Sequence, residues 1–248
     1  MNLILIEPSE LDAGGLARVE GTRARHVLDV LKCGSGDTIR VGVIGGATGL
    51  ATIENIDGDA IDVRCTWDGH APPRPRVDLL LALPRPKVMR RLWAQLSALG
   101  VGRIILTNAE RVERNYFDTN VLSPDVYRPL LVEGLQQAKD TRLPVVSVHR
   151  QFKVLVEDHL DEMCPAGLRL AADPSGARSV GAACRAAQAP SDTRALVAVG
   201  PEGGWNAFEI ALLEAHGFTV CSVGRRTLRS DTACIALVAL VHEALAEG

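Results

Sequence analysis

From Val77 to the C-terminus, short apolar runs alternate with longer segments of helical period, and this alternation constrains the fold more than any other feature of the chain. Val77 to Leu83, Arg103 to Thr107, Val145 to Val148, Leu168 to Ala172, Ala195 to Val199 and Thr219 to Val223 read as strands. Lys87 to Leu99, Pro124 to Lys139, Phe152 to Met163, Ser179 to Ala187, Ala207 to His216 and Thr232 to Ala246 read as helices. Gly100 and Gly217 stand where two of the helices end, as helix-terminating glycines do. Repeated strand–helix units predict an α/β domain around a mostly parallel sheet.

The chain before Gly69 follows a different pattern. Thr38 to Val43, Ala51 to Ile56 and Ala60 to Cys65 are short runs rich in β-branched residues, punctuated by Gly34-Ser35-Gly36-Asp37, Gly45-Gly46 and Asp57-Gly58-Asp59. Short strands joined by tight turns predict a small barrel or sandwich, with one embedded helix over Ala24 to Lys32. Ala71-Pro72-Pro73-Arg74-Pro75 reads as a linker. The expected organisation is a β-barrel domain over residues 1–70 and an α/β domain over residues 76–248.

Composition narrows the function classes. The 248 residues are 47% hydrophobic and 23% charged, enough to bury real cores. The net charge of −3 supplies no whole-protein basic field, so nucleic acid would have to bind a local basic patch. The six cysteines form no C-x-x-C pair and the six histidines lack metal-ligand spacing. Free thiols and no metal are expected. No signal peptide is seen, and no run approaches the roughly 18–20 apolar residues of a membrane span. A soluble, cytoplasmic protein is expected.

Two loops carry the chemistry. Gly200-Pro201-Glu202-Gly203-Gly204 follows an apolar strand, and Asn206 with Glu209 three residues on makes a variant capping box for the next helix. Glycines permit close backbone approach to a ligand, and ligands sit at the carboxyl ends of parallel strands. The loop is neither a Walker loop nor a G-x-G-x-x-G turn. The second loop, Val223-Gly224-Arg225-Arg226-Thr227-Leu228-Arg229-Ser230-Asp231-Thr232-Ala233, also leaves a strand and enters a helix, with Ser230 or Asp231 as candidate cap. Each loop alone reads equally as a plain strand-to-helix turn.

Taken together, Ala198 to Leu240 resembles the last motif region of the RsmE-type ribosomal RNA methyltransferases of the SPOUT class: a G-P-E-G-G loop, an acidic helix position (Glu209), then L-G-x-R-x-L-R-x-E-T-A, written here from Val223 to Ala233. His26 to Lys32 followed by Gly36-Asp37-Thr38-Ile39 resembles that family's N-terminal signature, and Leu99-Gly100-Val101 and Glu110-Arg111 its first strand–helix–strand unit. The chain departs from the family at three places. Gln95 to Val101 lacks the Lys and Glu of K-A-T-E-L-G-V; Asp140 stands at the Arg of E-Q-S-G-R; Asp231 replaces the Glu of E-T-A.

The resemblance implies a trefoil-knotted C-terminal SPOUT domain with a mostly parallel sheet, preceded by a small PUA-like β-barrel. It implies a homodimer that uses S-adenosyl-L-methionine to methylate N3 of a uridine in small-subunit (16S) ribosomal RNA. The cofactor-binding residues it implies are Ala172 and Asp173, with Pro174 in the same turn; Val199, Gly200, Pro201, Glu202, Gly203 and Gly204; and Val223, Gly224, Leu228, Arg229, Thr232 and Ala233. Arg229 is the candidate for stabilising the uridine anion or clamping a phosphate. Asp231 is the candidate either to orient it or to act as base. Candidate RNA contacts are Arg23, Arg25, His26 and Arg40 in the first domain and Lys87, Arg90, Arg111 and Arg114 in the second. Helix capping and solvated charge are the plain alternatives for all of them. Three rival functions stand beside this one: the same chemistry at another RNA site, a non-catalytic RNA-binding assembly factor, and a nucleotide-binding enzyme using the glycine loop for phosphates, against which the lack of Lys-Ser/Thr after the loop argues.

Overall fold

The structure is a computed structural model that describes residues 3–165, 167–187 and 192–246. It divides into two compact units, Met1–Arg74 with Val132–Leu143, and Pro75–Leu131 with Pro144–Gly248.

Among the described residues, the first unit is built on five strands: β1 (Ile4–Ile6), β2 (Leu16–Glu20), β3 (Thr38–Val43), β4 (Thr48–Asp57) and β5 (Ala60–Trp67), in the order β1-β3-β4-β5-β2. β1 pairs parallel with β3, and the other pairs are antiparallel. Side chains alternate across the sheet: Ala51 and Ile53 of β4 point into a core with Val19, Val41, Ile61 and Val63, while Leu50 and Glu54 face out. β1 and β2 are strands the sequence reading does not contain. Ile4–Ile6 is a three-residue run buried throughout, too short for a period to show.

The helix expected over Ala24 to Lys32 begins earlier and changes pitch. It is α1 (Gly21–Arg25) followed by a π-helical turn over His26–Val30, and Lys32, at φ 55, ends it. Residues 132–143 fold with this unit, which a serial division of the sequence does not give. Thr141 is fully buried; its hydroxyl donates to the Gly46 carbonyl at 2.6 Å and its carbonyl accepts from the Gly45 amide at 2.7 Å. Asp140, where the family pattern has Arg, accepts the amides of Thr141 and Arg142 at 2.6 and 2.9 Å and shapes this turn.

Among its described residues, the second unit carries seven parallel strands: β6 (Val77–Ala82), β7 (Val101–Thr107), β8 (Val145–His149), β9 (Leu168–Ala172), β10 (Arg178–Ser179), β11 (Ala195–Val199) and β12 (Thr219–Ser222), in the order β10-β12-β9-β11-β6-β7-β8. Central β6 and β11 are buried at every residue, whereas edge strand β8 is half open. Continuous apolar runs mark strands covered on both faces. The helices are α2 (Pro86–Ala98), α3 (Pro124–Ala138), of which only the part up to Leu131 belongs to this unit, α4 (Phe152–Val154), α5 (Leu160–Met163), α6 (Val180–Ala186), α7 (Ala207–Ala215) and α8 (Ser230–Ala246). The helix expected over Phe152 to Met163 is α4 and α5 joined by a π-helical turn at Leu155–His159. After β12 the chain returns across the sheet, and α8 packs on α2, α6, β6 and β11. Its buried face is Cys234, Leu237, Val238, Val241 and Leu245.

Candidate cofactor pocket and its surroundings

β12, β9 and β11 are neighbours, and all three point their carboxyl ends the same way. The chain leaves each through a turn: Asp173-Pro174 after β9, Gly200–Gly204 after β11, and residues 223–229 between β12 and α8. The three turns line one pocket of about 620 Å3, counting its open mouth. Convergence at the carboxyl edge of a parallel sheet is the expected place for a ligand.

Each turn is fixed locally. Asp173 donates its amide to the Cys221 carbonyl at 3.0 Å, and its carboxylate accepts the Ser175 amide and hydroxyl at 2.8 and 2.6 Å. The Gly204 amide donates to the Pro201 carbonyl at 2.8 Å with Gly204 at φ +72, a left-handed conformation that favours glycine. A Cβ on Gly200 would lie 3.1 Å from the Trp205 amide nitrogen and 3.2 Å from two ring atoms, so glycine lets the indole close beneath the loop. Trp205 is buried, packs against Phe152 at 5.2 Å, and its Nε1 has no hydrogen-bond partner among the described residues. Asn206 and Glu209 form the expected reciprocal cap of α7.

Of the residues expected at the cofactor, Ala172, Asp173, Val199, Gly200, Pro201, Glu202, Gly204, Val223, Gly224, Leu228 and Ala233 line the pocket. Gly203, Arg229 and Thr232 are not in its lining. Pro174, Arg226, Thr227, Ser230 and Leu237 are. Leu237 enters because it stands one helical turn after Ala233 on the same face of α8, which starts at Ser230, two residues earlier than the sequence suggests. The Ala233 amide bonds the Arg229 carbonyl at 2.8 Å, so Arg229 occupies the capping position and neither Ser230 nor Asp231 does.

Asp231 instead pairs with Arg91 at 3.0 Å. Burial pushes the Asp231 carboxyl up, but the Thr232 amide, the Arg91 guanidinium and the charge of Arg229 outweigh it and hold the group below the ordinary carboxylate value. Arg91 shares a face of α2 with Lys87 and Arg90, and all three are exposed. Arg91 as the partner of Asp231 is invisible to sequence reasoning, because no local pattern links the two positions.

The remaining basic candidates separate into engaged and exposed groups. Arg23 bonds Glu10 at 2.5 and 2.8 Å and the Leu5 carbonyl at 2.9 Å, a brace inside the first unit. The Arg23 bond, opposed in part by burial, lowers the Glu10 carboxyl. Arg40 lies 3.8 Å from Asp68. Arg111 donates to the Gly203 carbonyl. Arg25, Lys87, Arg90 and Arg114 are exposed, and His26 is half-buried. No group of three or more His, Cys, Asp or Glu residues among those described is placed to hold a metal. No helix among them is long and apolar enough to cross a membrane.

Comparison with known proteins agrees with this geometry. A family model described as an RNA methyltransferase domain matches residues 71–242. The ribosomal RNA small subunit methyltransferase E of Treponema pallidum is 30% identical over 97% of this chain and 90% of its own. Its counterpart in Borreliella burgdorferi, ribosomal RNA small subunit methyltransferase E 1, is 25% identical over 95% of each chain. The crystal structure of a ribosomal RNA small subunit methyltransferase E from Neisseria gonorrhoeae, bound to S-adenosyl methionine, superposes with a TM-score of 0.78 at 19% identity, covering 98% of this chain and 97% of that one. A probable rRNA-methyltransferase from Porphyromonas gingivalis gives 0.78 at 21% identity over 99% of both; these two show the shared fold.

A parallel sheet whose strand-end turns close one pocket, in a chain that also carries a small β-rich unit, is the SPOUT type of RNA methyltransferase. Within that class, the chain belongs to the ribosomal RNA small subunit methyltransferase E family.

Proposed function

We propose that this chain transfers a methyl group from S-adenosylmethionine to N3 of a uridine in small-subunit ribosomal RNA, working as a homodimer in the cytoplasm. The observation that carries the proposal is the convergence of the turns after β9, β11 and β12 on one pocket in a chain of this family. The lining suits the cofactor. Val199, Pro201, Leu228 and Leu237 offer apolar surface to an adenine ring, glycine backbone offers amides and carbonyls, and Asp173 and Glu202 offer negative charge to a sulfonium.

When bound, the cofactor supplies an already activated methyl group. The chain must then align the acceptor and exclude water. N3 of uridine carries a proton at neutral pH, so a group that stabilises the uridine anion favours the reaction. N3 lies on the pairing edge, so the base must be unpaired or turned out of its stack. Exposed Arg229, at the N-terminus of α8, is the residue we assign to that anion or its phosphate. Asp231 is held below the ordinary carboxylate value and paired to Arg91, which suits orientation and not proton abstraction. Exposed Lys87 and Arg90 form a basic face on α2 suited to phosphates. Exposed Phe208, Leu228 and Leu240 support burial against a second copy.

The test is mass mapping of methylated uridines in 16S ribosomal RNA from cells with and without this protein, beside calorimetry with S-adenosylmethionine. One uridine losing its methyl group in the deleted strain, with saturable cofactor binding, is the expected result. Binding with an unchanged 16S map and a changed map elsewhere moves the target to another RNA. No binding at all leaves the assembly-factor reading.

A further inference from the structure

The turn after β7 is bonded to the glycine loop and, independently, to the start of the helix that follows it. Glu209 is 3% exposed, and its carboxylate accepts the Glu110 amide at 2.7 Å and the Asn206 amide at 2.8 Å, joining the β7 turn to the start of α7. The next residue, Arg111, donates from its guanidinium to the Gly203 carbonyl. Its stem lies flat on the same residue: a Cβ on Gly203 would come within 2.8 Å of Arg111 Cδ and 3.4 Å of its Cβ.

The peptide between Gly203 and Gly204 is thereby held at both ends. Its carbonyl accepts from Arg111, and its amide donates to the Pro201 carbonyl at 2.8 Å. Two glycines in succession leave this peptide free to rotate, since neither has a side chain to limit it. Gly204 lines the pocket, so the plane of this peptide sets part of the pocket wall. A guanidinium spent on a backbone carbonyl, with its stem packed on glycine, is poorly placed to meet a phosphate.

We infer that Arg111 is a positioning residue of the cofactor pocket: with Glu209 it clasps the Gly200–Gly204 loop to the turn after β7 and fixes the orientation of the Gly203–Gly204 peptide. The inference rests on the cofactor reading above for the identity of the ligand, while the clasp itself does not depend on it.

The test uses the full chain and three variants, Arg111→Ala, Arg111→Lys and Gly203→Ala. Backbone amide exchange without cofactor reads the clasp directly. Exchange at Gly204 to Asn206 should quicken in Arg111→Ala and Gly203→Ala and stay near wild type in Arg111→Lys, whose ammonium can still donate. Calorimetry with S-adenosylmethionine should show affinity about 10-fold weaker in Arg111→Ala, the low end for a bond to a charged group because the pair is exposed. Arg111→Ala combined with Gly203→Ala, a fourth variant, should lose no more than the worse of the two single changes, as coupled neighbours do. The KM for cofactor should rise with kcat within about twofold. Affinity for 16S RNA without cofactor, and its salt dependence, should not move. Unchanged exchange in Arg111→Ala overturns the inference. So does unchanged cofactor affinity with weakened RNA binding and a salt slope reduced by about 1, which marks a phosphate contact. If wild type itself binds no S-adenosylmethionine, the cofactor reading fails and amide exchange alone decides the clasp.

Discussion

The Asp231 carboxylate accepts a hydrogen bond from the Arg91 guanidinium at 3.0 Å, across 140 residues of sequence. The bond ties the first turn of α8, which closes the pocket, to α2, the helix that directly follows β6 in the chain. Asp231 also accepts the Thr232 amide at 2.9 Å. A carboxylate whose folded value is depressed contributes stability that is present above its unfolded value, near 3.9, and lost as pH falls through the folded one. Arg91→Ala should therefore cost about 0.5 kcal/mol at pH 7, the scale of a half-exposed pair. The difference from wild type should shrink below about pH 4. Denaturant midpoints at pH 7 and pH 3 check both.

Glu209 is a buried carboxylate satisfied by two backbone amides. Removing it takes away half of the capping box of α7 and leaves the Glu110 amide without its partner. Glu209→Ala should cost about 2 kcal/mol, read as a lower urea midpoint with unchanged slope. Glu209→Gln keeps an acceptor oxygen and should recover much of the loss.

Gly204 has φ +72 and open space where a Cβ would stand. The cost of Gly204→Ala is therefore conformational, about 1–2 kcal/mol, and Gly204→Asn should cost less because asparagine tolerates this region. Gly200→Ala meets the opposite obstacle, the Trp205 backbone and ring. Its effect should appear as altered Trp205 fluorescence, which Gly204→Asn should leave alone.

Arg194 holds Asp78 with bonds of 2.6 and 3.2 Å, and the Asp78 side chain is 5% exposed. Arg194→Ala strands that carboxylate and should cost about 3 kcal/mol. The pair Asp78→Asn with Arg194→Ala should be more stable than Arg194→Ala alone. Equal midpoints for the two would show that solvent already compensates the charge.

His242 donates from Nε2 to the Gly100 carbonyl at 3.1 Å. Burial, aided by the charge of Arg76, lowers its protonation against the pull of the Gly100 and Leu99 carbonyls. The unfolded chain takes up a proton near pH 6.5 that the folded one resists. Stability is full above that pH and falls as pH drops toward the folded value. His242→Gln should flatten the change in thermal midpoint between pH 7 and pH 5.

The parts legible in the sequence are those with a local cause. β9 and β11 fall on Leu168 to Ala172 and Ala195 to Val199 as read from the residues, because an apolar run between turn residues is sufficient signal for a buried strand. The Asn206–Glu209 cap is equally local, spanning three residues. β1 and β2 are too short or too polar to show a period, and α1 owes its register to the core it meets. Leu237 lies beyond the loop motif, and only the packing of α8 against α2, α6, β6 and β11 shows that its side chain reaches the pocket.

The sequence by itself determined the alternating architecture, the places of the two loops, and the family through their joint motif. Those follow from period, turn chemistry and residue order, which act over a few neighbours. Only the tertiary structure decided that residues 132–143 fold with the first unit, that Arg23 braces Glu10, that Arg91 holds Asp231, and that Arg111 turns to Gly203. An arginine carries the same charge and reach wherever it stands in the chain. Whether it meets a phosphate, a carboxylate or a carbonyl depends on what packing brings within about 3 Å of its guanidinium, and that distance is set by residues far away in sequence.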